Sequence, residues 1–572
     1  MKKEFQPGQL FDQLQLPAQD LSTLSFCNSA RTATVEAWTH ALPVMRVQQT
    51  SGLLYQALPE VNGLKTSVDT RLEMLEILRP FAQQCIQRLS KEFLNQPLIL
   101  GEQSLKTAIV AQALQNHMIN GYLLVIRELT RKLKPNKGPH KKLELACHRA
   151  ITGAGLLILR SYQLYTQIPP KLWLELHGVY RIAEYYQFTE QSVNDDLLVD
   201  SPACTLTQAY LRPLLLGCAR PNQMRQTEVS AVYESLENWV SMARIHDVNR
   251  QKQDNLFLVN LADDCGPLYK SRFTGSHDME LREIDISQLV ASLKKHNEQR
   301  EAGKELITVS HIVSAALLEH VSRAWSVAQQ RAFERHPSKA IIEVCVGLSN
   351  LHYQSTNGMP FDDFLGRNED NEDEAHFDAD PWLTDFDTPT TKGTSADAQL
   401  SPIYKIRVVD TSAGGYCLEW RDVIPNQVKA GELIGLRDPG RHRWGMGVVR
   451  WIQQQRNATR LGIQLLAPKA TPYGAAIQQP TGEYGDYMRV LMLPELKVAN
   501  QPATLLTASV PFQENHRLSL NHQGELQEAQ LTRRLFSTGS VAQFAFRLMA
   551  GGQVEAEGGP ETKDFSSVWD QS

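Results

Sequence analysis

The stretch Ile403-Tyr-Lys-Ile-Arg-Val-Val-Asp410-Thr-Ser412-Ala-Gly-Gly415-Tyr-Cys-Leu-Glu-Trp420 reads as two short strands joined by a tight turn. β-Branched and aromatic residues fill both arms, and the Thr-Ser-Ala-Gly-Gly run between them is turn chemistry. Similar strand signals lie on either side: Ala340–Tyr353 upstream, then Glu432–Leu436, Gly447–Ile452 and Arg460–Leu466. Short strands punctuated by glycine describe an antiparallel barrel or sandwich. A smaller set follows at Arg489–Leu493, Ala503–Ala508, His516–Asn521, Glu525–Leu531 and Ala542–Leu548, which predicts a small β domain over 489–550. The Pro- and Gly-bearing stretch 471–488 reads as a linker between the two sets, and 551–572 as a flexible tail.

Upstream the texture is helical. Leu72, Leu75, Leu78, Phe81, Cys85, Leu89 and Phe93 recur at three- and four-residue steps behind a capping box at Thr70-Arg-Leu-Glu73. Pro80 is expected to bend or restart that helix. Further helices are readable at 103–134, 143–165, 171–189, 205–217, 225–245, 287–297 and 309–334. Apolar stripes of this kind must pack on one another, so residues 1–330 are expected to form a mainly helical region. The apolar run Leu256–Leu261 adds a small α/β element near 256–290. The fold class is therefore multidomain α+β.

Length and composition agree with this division. A chain of 572 residues exceeds one core, and its 42% hydrophobic and 21% charged residues are those of a folded globular protein. The net charge of −5 argues against a nucleic-acid-coating function. No apolar run is long enough for a transmembrane segment, and with polar sequence after Lys2-Lys3 no signal peptide is visible. Eight cysteines without a C-x-x-C pair read as reduced thiols of a cytoplasmic protein. Residues 362–387 carry eleven acids and one arginine. Repulsion at that density predicts a solvated surface excursion, with an electrostatic gate over a nearby basic site as the sharper alternative.

Several catalytic patterns fail. Gly101-Glu-Gln-Ser-Leu-Lys106-Thr107 lacks the glycine and spacing of a phosphate loop. Cys147-His148 and His311/His320 have no partners at metal-ligand spacing, so no metal site is expected. Trp173, Leu176 and Tyr180 share the spacing of a tetratricopeptide helix, but no second copy follows. The basic stretch Arg127–Lys142 suits a helix C-terminus or, alternatively, a patch for an acidic partner. Since no nucleophile and base can be assembled, no enzyme activity is expected.

Two pieces flanking the acidic insertion do carry chemistry. Arg331-Ala-Phe-Glu-Arg335 places two guanidinium forks before the first strand, suited to phosphate oxygens and to the O6/N7 edge of guanine. Asp410-Thr-Ser412-Ala-Gly-Gly415 adds a carboxylate that accepts from guanine N1–H and its amine, a versatile hydroxyl, and glycines that let a ligand lie against the backbone. Together they describe a site for an anionic purine nucleotide. Structural alternatives exist for each half: a helix end for the arginines, an Asx or Ser turn for Asp410 and Ser412.

The order R-x-x-x-R, strand, D-x-S-x-x-G resembles the PilZ domain family of bacterial cyclic di-GMP receptors, over residues 331–470. Gly445-Met-Gly-Val-Val-Arg-Trp451 and Leu461-Gly-Ile-Gln-Leu-Leu466 resemble later strands of that barrel. The chain departs from the family in having Gln330 before Arg331 and in its long insertion between the first two strands. A competing Arg437-x-x-x-Arg441 lies downstream. The resemblance implies a cyclic di-GMP receptor needing no cofactor, with Arg331, Arg335, Asp410, Ser412 and Gly415 as ligand contacts. It further implies a signal relayed to a protein partner through the helical region, on machinery of motility, adhesion or exopolysaccharide production. A helical scaffold or adaptor whose barrel binds no nucleotide is the alternative.

Overall fold

The computed structural model describes residues 5–134, 140–198, 202–248, 257–273, 280–299, 313–326, 334–366, 401–455, 458–495 and 502–549. Two compact units divide the chain, Met1–Ala328 and Gln329–Ser572.

The first unit is built on helices α1 (Pro7–Gln13), α2 (Thr32–His40), α3 (Val47–Gly63), α4 (Val68–Phe93), α5 (Glu102–Lys132), α6 (Lys141–Gln163), α7 (Leu172–Tyr185), α8 (Leu206–Cys218), α9 (Gln226–Trp239), α10 (Ser287–Gln299) and α11 (Ala315–Ser326). Their apolar stripes merge in one core, which includes Leu75, Leu78, Phe93, Leu114, Tyr122, Ile151, Tyr210 and Trp239. The sequence reading missed α2 and α3, and it placed the start of α4 late. Ser67 is the cap, its Oγ accepting from the Thr70 N–H at 3.1 Å, so Thr70 lies in the first turn. Pro80 does not restart α4, which runs as one helix through it. The proline sits on the exposed face, where water can take up the carbonyl that loses its partner. At the other end of the loop that joins α3 to α4, the buried Arg71 guanidinium donates to the carbonyls of Val61, Asn62 and Leu64.

Two small sheets complete this unit. One pairs β1 (Ser192–Asn194) with β2 (Ala203–Thr205). The other is antiparallel in the order β3-β6-β4-β5, with β3 Arg244–Asp247, β4 Phe257–Asn260, β5 Leu268–Tyr269 and β6 Leu281–Asp285. Among the described residues, no helix is long and apolar enough to cross a membrane.

The second unit begins with β7 (His336–Pro337) and β8 (Ile341–Val346). The strand reading of Ala340–Tyr353 is only half right. Gly347 turns the chain with φ +88°, and Leu348–Ser355 is helix α12. Its Leu351 enters the core, which a continued strand would have pointed elsewhere. Then follow α13 (Phe361–Phe364), β9 (Tyr404–Ser412), β10 (Gly415–Trp420), β11 (Leu433–Arg437), β12 (Gly445–Gln455) and β13 (Ala458–Ala467). Strand β9 pairs with both β8 and β10, so the antiparallel ring β8-β9-β10-β13-β12-β11 closes on itself, with β7 added outside β9.

A second closed barrel has the order β14-β15-β16-β19-β18-β17. Its strands are β14 Thr471–Ile477, β15 Met488–Leu493, β16 Thr504–Ala508, β17 Arg517–His522, β18 Glu525–Ser537 and β19 Val541–Leu548. The linker reading of 471–488 therefore fails: β14 is the first strand of this barrel, paired with β15 and β17. Its Gly has a steric reason that lies elsewhere in the fold. A Cβ on Gly474 would stand 2.5 Å from Leu365 Cδ2, and the Pro472 carbonyl accepts from His522 Nδ1 at 2.9 Å. The barrels are not tethered at a distance either. Leu433, Trp444, Met446 and Val448 share one core with Leu491, Leu506 and Val541. Thr538 Oγ1 donates to the Gly431 carbonyl at 2.7 Å, and Ser540 Oγ to Glu432 Oε2 at 2.6 Å.

The acidic segment is also partly misread. Its first residues are folded: Phe364 is fully buried, its ring edge-on to His352 and His522, and the Leu365 carbonyl accepts from Asn521 Nδ2 at 3.1 Å. Two acids at 362–363 did not predict the apolar anchor beside them. The rest of the segment, 367–387, lies outside the described residues, as does the expected tail at 551–572.

Candidate functional site

Strand register assembles the two halves of the motif. The two-residue β7 lies against β9 with His336 opposite Thr411 and Pro337 opposite Asp410. The Ser338 N–H donates to the Val409 carbonyl at 2.9 Å and holds that register. Pro337 is tolerated because β7 is an edge that needs no inward donor there. This short strand seats Arg335, which is not on a helix, so the helix-end alternative fails for it. Its Nη1 donates to Asp410 Oδ1 at 2.7 Å, with side-chain exposures of 35% and 25%. Arg331 lies outside the described residues.

The hairpin between β9 and β10 brings Ser412 and Gly415 together as a facing pair. Ser412 Oγ points at the Gly415 carbonyl, 3.5 Å away. Glycine at 415 is demanded by proximity rather than by the turn. A Cβ there would stand 1.9 Å from the carbonyl oxygen of Ile463 on β13. The backbones of β10 and β13 therefore approach where any side chain would part them. Beside this turn Cys417 faces Asp410 on β9 and Gly462 on β13. Burial first, then the Asp410 carboxylate, pushes its thiol up to about 11, so it is inert.

Chemically, the face offers a guanidinium fork and a carboxylate in contact, half open to solvent, next to a strand turn without side-chain cover. An entering guanine can share both partners, taking donors from Arg335 on O6 or N7 and giving its N1–H and amine to Asp410. The downstream arginine pair is engaged elsewhere. Arg437 is 2.8 Å from Glu343 and stacks over Trp444, and Arg441 pairs with Asp438. Sequence reasoning missed the row beside the motif. Glu419, 9% exposed, gathers Arg407 from β9, Arg460 from β13 and Arg421 from just past the end of β10. No spacing rule signals it, because Arg407 and Arg460 reach Glu419 only across strands.

A second cluster in the helical unit has the outline of a nucleophile site. Cys204 Sγ lies 3.0 Å from His148 Nε2, and Asp195 Oδ2 is 3.9 Å from His148 Nδ1. The third partner shows what it does. Arg149 Nη1 stands 3.2 Å from Nδ1 and can only donate, so Nδ1 accepts and the ring proton sits on Nε2, facing the sulfur. An imidazole so arranged cannot take the thiol proton. Burial, then Arg149, lowers His148 to about 4, and burial raises Cys204 to about 11. The cluster ties α6 to the β1–β2 hairpin: Asp195 also receives both nitrogens of Arg79 at 2.8 and 2.7 Å. His177 is likewise structural, bonded to the Tyr210 hydroxyl and facing the Cys265 carbonyl.

A closed six-stranded antiparallel barrel with this strand-turn constellation defines a PilZ-type domain, here followed by a second barrel. Comparison with known families agrees from residue 33 to residue 549. Residues 33–251 match the N-terminal domain of the cyclic-di-GMP receptor FimW, 256–401 and 384–472 match its middle PilZ domain, and 473–549 match the FimW C-terminal β-barrel domain. The middle-domain match begins inside the unit that the structure groups with the helices. The chain is 34% identical over 571 residues to the cyclic-di-GMP receptor FimW of Pseudomonas aeruginosa, covering 93% of each. No solved structure matches it. The chain belongs to the FimW family.

Proposed function

We propose that this protein is a cytoplasmic receptor that binds cyclic di-GMP on the β9–β10 face of its PilZ barrel and relays that binding to a protein partner, without catalysing a reaction. Arg335 and Asp410 hold one guanine, Ser412 and Gly415 form the floor beneath it, and Arg331 is the second arginine of the clamp. The observation that carries this reading is the Arg335–Asp410 contact at 2.7 Å, which joins motif halves 75 positions apart on an open face. A solvent-exposed ion pair of this kind contributes only about 0–1 kcal/mol to folding, so stability is a poor reason for it. Family membership supports the same ligand, since the relative in Pseudomonas aeruginosa is described as a cyclic-di-GMP receptor. For a signal to follow, the ligand must favour one conformation of the chain over another.

Titration calorimetry of the full chain with cyclic di-GMP, with GMP as the control, tests the binding. Saturable heat with the cyclic dinucleotide alone is the expected result. No heat with either would leave the barrel as an adaptor without a nucleotide.

A further inference from the structure

The face that carries the motif holds more positive charge than the Arg335–Asp410 pair accounts for. Glu419 of β10 is the only acid among the four residues of the adjoining row. Arg421 Nη2 lies 2.6 Å from its Oε1, Arg407 Nη1 3.3 Å from the same oxygen, and Arg460 Nη2 3.8 Å from Oε2. One carboxylate against three guanidiniums leaves a local surplus of two positive charges.

Register places this row directly beside the motif. Cys417 faces Asp410 on β9 and Gly462 on β13, while Glu419, two residues on and on the same face, faces Arg407 and Arg460 on those strands. The Cys417 thiol feels Asp410, Arg335, Arg460 and Glu419 together, as side chains sharing one surface must. From β9 to β13 is two strand spacings, about 10 Å. A cyclic dinucleotide anchored by a guanine at Asp410 spans that gap with its phosphates and its second base.

An ordinary surface ion-pair network explains Arg421 and Arg407, both within 3.3 Å of the carboxylate. It does not explain Arg460. At 3.8 Å its approach to Glu419 is too long for a hydrogen bond. Its side chain is nonetheless 37% exposed, so a ligand lying on this face can reach it. Guanidinium forks suit phosphate oxygens, which they bind bidentately.

We propose that Arg460 contacts a phosphodiester oxygen of the nucleotide bound at the Arg335–Asp410 site, and that Glu419 is the positioning residue that aims it. The inference rests on the reading of that site as a cyclic di-GMP site.

The test is calorimetry of the full chain with cyclic di-GMP at low and high salt, on the parent, Arg460→Met, Arg460→Lys, Glu419→Gln and Asp410→Ala. Arg460→Met is expected to weaken binding at least tenfold and to flatten its salt dependence, because one screened charge contact is gone. Arg460→Lys should recover part of the loss, keeping the charge without the fork. Glu419→Gln should weaken binding although it makes the face more positive; tighter binding would overturn the positioning role. Thermal unfolding of the unliganded variants should match the parent. Parent-like affinity and salt dependence in Arg460→Met, with Asp410→Ala inactive, would overturn the inference and leave the site standing. A parent that does not bind would overturn both.

Discussion

Arg335 Nη1 meets Asp410 Oδ1 at 2.7 Å, although 75 positions of chain, the acidic segment among them, separate the two residues. The contact is made by a two-residue strand laid along β9, with Pro337 opposite Asp410 itself. A guanidinium and a carboxylate already paired with each other are pre-oriented, so a guanine that shares both partners loses little ordering entropy on binding.

Arg335→Ala and Asp410→Ala should each weaken cyclic di-GMP binding by about 2–5 kcal/mol, since each removes a charged partner of a bound group. Both side chains are partly exposed, so the unliganded variants should unfold within about 1 kcal/mol of the parent. Calorimetric titration and thermal melts check the two halves. Undiminished affinity in both variants would place the ligand elsewhere.

Gly415→Ala should damage the barrel as well as the site. Its new methyl group would lie 1.9 Å from the Ile463 carbonyl, and neither backbone can yield without parting β10 from β13. Overpacking of this sort costs about 1–3 kcal/mol. A lowered urea midpoint together with lost binding is expected; a parent-like midpoint would show that the strands separate freely.

The acidic segment should split in two on deletion. Removing 367–387 should leave the thermal transition in place, because loop-closure entropy changes slowly with length. Phe364→Ala should cost about 3–5 kcal/mol, since its fully buried ring fills space beside His352 and His522. If the segment also shields the nucleotide face, the deletion should tighten binding at low salt. Loss of the cooperative transition on deleting 367–387 would show that the segment is structural.

Acid should weaken the unit that holds the two barrels through His352. Burial, then the nearby Arg489, lowers its imidazole to about 3, and its Nε2 faces the Tyr473 carbonyl at 3.3 Å. The folded state thus resists protonation that the unfolded chain accepts near pH 6.5. Stability is complete above that value and falls by roughly 1.4 kcal/mol per unit as pH drops toward 3. His148 and His177, each lowered to about 4 chiefly by burial, add the same sign in the helical unit. Urea unfolding between pH 7 and 4.5 should therefore show a smaller loss in His352→Leu than in the parent. Equal slopes would remove His352 from the account.

Hydrogen exchange with saturating cyclic di-GMP should show its largest protection at 334–340 and 408–418, where β7, β9 and the hairpin turn meet. Unchanged exchange there at full occupancy would place the ligand off this face.

Much of the architecture is written locally. The stripe from Leu72 to Phe93 and the alternating arms around Asp410–Gly415 need only neighbours three, four or two residues away, so periodicity reveals them. The D-x-S-x-x-G turn is local as well, because residues five apart in a hairpin stay together whatever the rest of the chain does. Tertiary structure decided what depends on distant partners. Thr471–Ile477 reads as a linker until β15 and β17 pair with it and Leu365 accounts for its glycine. Phe364 reads as part of a charged loop until His352 and His522 close over it. Gly415 owes its identity to a carbonyl 48 positions on, and Glu419 owes Arg407 and Arg460 to a register of three strands. Sequence shows which groups a segment can offer; only the closed barrel determines which of them meet, because strand pairing joins residues whose separation along the chain carries no period.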